Sequence, residues 1–151
     1  MELVVAVVGR AGGPLADAIA DYERRAARYW PLAVKEVKEG RGASAAVVRR
    51  DEGARLLAAL PGRGEVVACD ERGAAMPSDA FAAWLGRVRD TGGALAFVIG
   101  GAHGLDDAVR ARATKVLGVA PWTLPHEMAR LVLAEQLYRA GALLRGEPYH
   151  K

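Results

Sequence analysis

The chain has 151 residues, 52% of them hydrophobic and 26% charged, enough apolar material for one core and hence one domain over residues 1–151. Low-complexity tracts and internal repeats are missing, which excludes disordered and solenoid readings, and the net charge of +3 is only a mild basic bias. A lone cysteine, Cys69, excludes an intramolecular disulfide and a cysteine-rich metal site.

The opening run "LVVAVVG" (Leu3 to Gly9) is short, continuous and valine-rich, as expected of a strand buried on both faces. An acid at position 2 and no basic leader argue against a signal peptide. No apolar run approaches the roughly 20 residues that span a bilayer. A soluble, cytoplasmic protein with no membrane partner is expected.

"PLADAIADYERRAARYW" follows with helical spacing: Leu15, Ile19, Tyr22 and Ala26 share one side, and Pro14 suits a first turn. "LAVKEVKE" (Leu32 to Glu39) alternates as a second, more exposed strand. Between Glu23 and Arg50, eight basic residues (Arg24, Arg25, Arg28, Lys35, Lys38, Arg41, Arg49, Arg50) face three acids (Glu23, Glu36, Glu39). That excess suits a phosphate backbone or, equally, an ordinary solvated face.

Ser44 is placed to cap a helix continuing to Leu60, and "EVVACD" is a third, buried strand ending at Asp70. Ser78 resembles an N-cap for a helix carrying Phe81, Trp84, Leu85 and Val88. A fourth strand, Ala94 to Ile99, runs into Gly100, Gly101, Ala102, His103 and Gly104, and a helix begins near Leu105. A short strand follows around Lys115 to Val119, then the extended loop "APWTLP". The last helix spans about His126 to Leu144. Its apolar residues (Met128, Leu131, Val132, Leu133, Leu137, Tyr138, Leu143, Leu144) cover more than one stripe, which suggests a subunit interface.

Alternating strands and helices predict an α/β protein: a mostly parallel sheet with helices on both faces. Sites in such sheets lie beyond the carboxyl ends of the strands. Three loops qualify, Asp70 to Gly73, Gly100 to Gly104 and Ala120 to Pro125, and they meet only if their strands are neighbours.

The glycine loop does not fit a phosphate site. Its G-G-x-x-G spacing lacks the dinucleotide pattern, no Lys-Ser/Thr pair ends it, and Asp106 and Asp107 open the next helix, where they would repel a phosphate. Either the glycines admit close approach of a flat or neutral ligand, or they form a tight turn with none. Neither Ser44 nor Ser78 sits in a nucleophile elbow, and His103, His126 and His150 lack metal-pair spacing, so no metal is expected. His126 is placed to satisfy the backbone at the start of the last helix. The terminal "PYHK" is either a frayed tail or a set of groups for stacking on a base and moving a proton.

Three segments then carry a resemblance: "ACDERGAAMPSDAFAAWL", "FVIGGAHGL" and "TLPHEMARLVLAEQLYRAGALLRGEPYHK". In order and spacing they resemble the ribosomal RNA large subunit methyltransferase H family, and with the "VVAVVGR" start the resemblance covers essentially the whole chain. The resemblance implies a homodimeric SPOUT-type fold with a C-terminal trefoil knot, which sequence rules alone disfavour. It implies S-adenosylmethionine as methyl donor and N3 of a pseudouridine in 23S ribosomal RNA, within the assembled ribosome, as acceptor; DNA is not expected as a partner.

Carried over, the donor contacts fall on Cys69, Gly101 and the stretch Ala120, Pro121, Trp122, Thr123, Leu124, Pro125. Cys69 and Trp122 depart from the family pattern: a short Cys69 loosens one wall, and a large Trp122 must face the core or cover the ligand. His103 falls at a variable position and is not taken as catalytic. His150 and Tyr149 are the candidates for acceptor-side chemistry, and Arg139 steadies RNA or the last helix. The plainer role for Arg139 is a surface pair with Glu135, worth about 0.3–0.5 kcal/mol. Two other functions stay open: a SPOUT enzyme for another RNA, and a ribosome-binding dimer without catalysis.

Overall fold

The computed structural model describes residues 1–149. Ten elements alternate along it: β1 (Glu2–Val8), α1 (Ala16–Ala26), β2 (Leu32–Val37), α2 (Ala45–Ala59), β3 (Glu65–Ala74), α3 (Ser78–Asp90), β4 (Ala94–Ile99), α4 (Asp107–Arg112), β5 (Lys115–Leu117) and α5 (His126–Leu144). The strands form one sheet in the order β2-β1-β4-β3-β5, every pairing parallel. Helices cover both faces, as an α/β sheet of this kind requires.

β1 shows how the sequence specifies this arrangement. Leu3, Val5 and Val7 point into a core shared with α1, α3 and α5, while Val4, Ala6 and Val8 point into a second core with α2 and α4. A strand lined on both sides needs a continuous apolar run. β2 lies at the edge, and its alternation of half-buried and exposed residues follows from that position. In α3, Phe81, Trp84, Leu85 and Val88 recur at helical spacing and are buried. Phe97 of β4 packs against Phe81 and Trp84, with ring centroids 6.0 and 6.2 Å away. Each large side chain buried in this way contributes roughly 1.5–3 kcal/mol.

Ser44 caps α2 as its position predicts, accepting from the N–H of Val47 at 3.2 Å. Ser78 does not cap α3. Pro77 holds the cap position, and the Ser78 hydroxyl instead donates to the side-chain oxygen of Gln136 at 2.7 Å, tying α3 to α5. β3 also continues beyond Asp70. Both Cys69 and Ala74 pair with Leu117, so Asp70 to Gly73 leave the ladder as a protruding loop before the chain rejoins it. The return demands glycine: a Cβ on Gly73 would lie 2.5 Å from the carbonyl carbon of Leu117.

α5 lies between α1 and α3. Two flanking helices plus the sheet therefore absorb much of the apolar surface that the sequence assigned to a subunit interface, with Leu133, Ala134, Leu137, Ala140 and Ala142 buried. Leu131 and Val132 stay half-buried, and Met128 and Leu144 are exposed. Arg130 pins the helix from within: its guanidinium bonds Glu23 of α1 at 2.9 and 3.0 Å and Glu36 of β2 at 2.7 Å. Glu36 also accepts the N–H of Ala11, fixing the loop after β1. Among the described residues, no helix is long and apolar enough to cross a membrane.

Candidate active site

Because β4, β3 and β5 are neighbours, the loops that follow them meet at one end of the sheet. They enclose a cavity of about 910 Å³ lined by residues of the 69–72, 99–105 and 119–126 segments. The convergence expected from the sequence is present.

The glycine loop closes on itself. Gly101 and Gly104 form an isolated antiparallel bridge, the N–H of Gly104 donates to the carbonyl of Gly101 at 3.1 Å, and Gly104 sits at φ +80°. A Cβ on Gly100 would fall 2.7 Å from the Gly104 carbonyl oxygen. A Cβ on Gly101 would point behind the loop, 3.1 Å from both carboxylate oxygens of Glu52 and from Val8. The protein's own packing thus requires small residues here, before any ligand is considered.

On the second loop, Asp70 is clamped. Its carboxylate accepts from the backbone N–H of Arg72 at 2.9 Å and from the Arg110 Nε at 2.9 Å, with a further Arg110 nitrogen at 2.8 Å. Burial pushes this carboxyl upward, but the Arg72 and Arg110 bonds outweigh it and hold it down at about 2. Asp70 is a fixed anion that holds loop geometry, poorly suited to taking a proton near neutral pH. The Cys69 thiol beside it is pushed up to about 12 by burial alone, which makes it a small wall group and no nucleophile.

The third loop is fastened to the second by the Thr123 hydroxyl, which donates to Glu71. Ala120, Trp122, Thr123, Leu124 and Pro125 line the cavity together with Cys69 and Gly101, whereas Pro121 shares the loop without lining it. Trp122 does not face the core. It stands at the rim, 78% exposed.

His126 also lines the cavity, but it does not cap α5: Pro125 holds the cap position and no side chain bonds there. The helix therefore opens with its imidazole turned to the site, and its Nε2 lies 3.8 Å from where a Gly9 Cβ would sit. The basic stretch is divided. Arg24 and Arg25 pair with Asp21, Lys35 donates to the carbonyl of Ala59, and only Arg49 reaches the cavity, where it donates to the His103 carbonyl at 3.4 Å.

The tail candidates are elsewhere. Arg139 pairs with Glu135 at 2.5 Å, the surface pairing that its spacing allows, and it stacks over the Tyr149 ring at 4.8 Å. The Tyr149 hydroxyl donates to Glu135 at 3.1 Å and its ring packs edge-on against Tyr138 at 4.5 Å. Arg139 is ten residues beyond the cavity residue Ala129, about 15 Å along the helix axis. Within one subunit, then, Tyr149 and Arg139 stand apart from the cavity; His150 lies outside the described residues. Sequence reasoning missed Arg110 and Glu52. Arg110 carried a signal, as a base one turn into the helix after the glycine loop.

A family model described as "Predicted SPOUT methyltransferase" matches residues 1–150. The chain belongs to the SPOUT methyltransferase family. A protein of Gemmatimonas aurantiaca named ribosomal RNA large subunit methyltransferase H is 60% identical over 156 residues, covering 100% of both chains. Proteins of the same name from Rhodospirillum centenum and Anaeromyxobacter sp. (strain Fw109-5) are 46% and 48% identical over 153 residues each, covering 100% of this chain and 99% and 100% of theirs. The family resemblance carried by the sequence motifs therefore holds along the full length, and among these SPOUT methyltransferases the cavity described above is the candidate methyl-transfer site.

Proposed function

We propose that this chain is a single-domain, S-adenosylmethionine-dependent methyltransferase acting on N3 of a pseudouridine in 23S ribosomal RNA, working as a cytoplasmic homodimer on the assembled ribosome. The observation that carries this reading is the meeting of three loops, at the positions the family resemblance marks, around one cavity of about 910 Å³. A cavity of that size accommodates a folded nucleoside-amino acid ligand. Its chemistry also fits. The glycine loop is backed by Glu52 and followed by Asp106 and Asp107, a setting that opposes a phosphate and suits a ligand bearing a positive sulfonium.

In this reading Cys69, Gly101 and the Ala120–Pro125 stretch hold the donor, which supplies an activated methyl group. Asp70 and Arg110 lock one loop and Thr123 with Glu71 lock another, so the donor's walls are set before it binds. The acceptor N3 must be brought in line and lose its proton. Tyr149 and His150 are assigned to that side, with Arg139 steadying the RNA. The distance between Arg139 and the cavity supports a tail that serves the partner's donor site, and the exposed Met128 with the half-buried Leu131 and Val132 supplies apolar surface for pairing. The family's trefoil knot belongs to the same reading.

The test is calorimetric titration with S-adenosylmethionine, followed by incubation of ribosomes with a donor carrying an isotopically heavy methyl group. Micromolar binding and label in 23S RNA are expected. A protein that binds ribosomes but no donor would be a non-catalytic dimer, and label in another RNA would redirect the substrate.

A further inference from the structure

Glu52 is 4% exposed, on the inner side of α2. One carboxylate oxygen accepts the N–H of Gly40 at 3.0 Å. The other, Oε1, is buried and has no hydrogen-bond partner among the described residues. Both oxygens lie 3.1 Å from the point where a Gly101 Cβ would be, directly behind the loop that lines the cavity. Leaving a carboxylate oxygen buried and unbonded is costly, and such groups mark places where charge has a task.

The neighbouring charges do not cancel it. Arg49, one turn earlier on α2, reaches out to the His103 carbonyl, and no ion pair involving Glu52 exists among the described residues. Asp70 lines the same cavity but is neutralised by Arg72 and Arg110. Glu52 therefore places an uncompensated carboxylate directly behind the glycine loop, while Asp106, also without an ion pair among the described residues, flanks α2 with its Cβ 3.0 Å from where a Gly53 Cβ would sit.

Resting on the methyltransferase reading above, we propose that Glu52 is a specificity-determining residue that lets the cavity distinguish the cationic methyl donor from its neutral product. In the reaction the carbon–sulfur bond breaks with its electron pair going to sulfur, the N3 lone pair forms the new bond to the methyl carbon, and the N3 proton leaves to solvent. The sulfonium thereby becomes a neutral thioether, while the amino-acid and nucleoside parts are unchanged. A buried carboxylate behind Gly101 attracts the first species and is indifferent to the second, so it favours donor capture and product release without touching the reacting atoms.

The test is calorimetry on the full-length protein with S-adenosylmethionine and S-adenosylhomocysteine, comparing the wild type with Glu52→Gln. The amide keeps an oxygen for the Gly40 N–H but removes the charge. Donor affinity should fall roughly tenfold, the size of effect one unit charge exerts on another about 12 Å away at an effective dielectric of about 20. Product affinity should stay within about twofold, which is close to no change in free energy. Equal losses for both ligands would show a merely structural role and overturn the proposal, as would no loss for either. If circular dichroism shows that E52Q does not fold, the wild-type ratio decides: donor tighter than product upholds the proposal, and product as tight or tighter contradicts it. Wild-type protein that binds neither ligand would instead sink the methyltransferase reading itself.

Discussion

Replacing Gly101 separates two reasons for a glycine in the loop after β4. The residue is not in the left-handed region, so alanine is compatible with its backbone. Gly101→Ala gains about 0.4–1 kcal/mol from a less flexible unfolded chain. Against that, its Cβ would sit 3.1 Å from the Glu52 oxygens and the Val8 methyl, and these neighbours must yield by a few tenths of an ångström. The two effects nearly cancel, and the net change should lie within about 1 kcal/mol. Gly101→Val adds two more carbons to the same wall, with overpacking worth about 1–3 kcal/mol. For a chain of this length a loss of 2 kcal/mol lowers the melting midpoint by roughly 4–8 °C. Urea denaturation without ligand gives these values, and calorimetry with S-adenosylmethionine gives the consequence for binding. The expected result is a graded loss of stability in which valine weakens or abolishes donor binding by displacing the loop. A valine variant as stable as wild type would refute the packing argument. Lost binding in that stable variant would show that the donor itself occupies the space.

Asp70→Asn should destabilise the protein at pH 7 by about 2 kcal/mol, the free-energy equivalent of holding the carboxyl at about 2 against an ordinary value of 3.8. The folded pKa is the lower one, so the contribution is complete above about pH 4, roughly halved near pH 3 and lost as pH falls through 2; denaturation curves of the two proteins should converge accordingly. A gap that does not narrow between pH 7 and pH 3 would contradict this assignment. Deleting Tyr149 to Lys151 should abolish methylation and spare donor binding, since the donor loops are elsewhere. A mixed dimer of that truncated chain with a Gly101→Val chain should recover one working site; an inactive mixed dimer, confirmed as a dimer, would count against a tail that crosses to its partner.

Much of this architecture was legible because it rests on local chemistry. β1 shows itself as an unbroken valine-rich run because both its faces are covered, and α5 starts at His126 and stops at Leu144 as its pattern predicts. Ser44 caps α2 through a bond three residues away. What stayed hidden depends on distant partners. The Ser78 hydroxyl is diverted to Gln136, 58 residues on, so a sound capping signal gave the wrong bond. β3 outruns Asp70 because Gly73 slides against Leu117, a contact no local window contains. The double stripe of α5 suited an interface, yet α1 and α3 take up much of it inside one subunit. Glu52 had no signature at all: in a stretch reading "RRDEGARL" it is one charge among several, and only the close approach of α2 to Gly101 makes it a buried one. The site loops were found by strand logic, but the anchors of those loops were not.

The central claim is the transfer of a methyl group to N3 of a pseudouridine, and nucleoside mass spectrometry of 23S RNA tests it most directly. Ribosomes from a strain lacking this protein would be digested and mapped before and after treatment with the purified protein and S-adenosylmethionine, beside naked 23S RNA treated in the same way. A small protein whose cavity carries three arginines, two of them (Arg72 and Arg110) tied to Asp70, needs the shape of a larger surface to select a single residue. The account predicts one pseudouridine that gains 14 mass units, about one methylene, at N3 in the treated ribosomes and little or no gain in the naked RNA. Unmodified 23S RNA in treated ribosomes, or a methyl group placed on another atom, would contradict it.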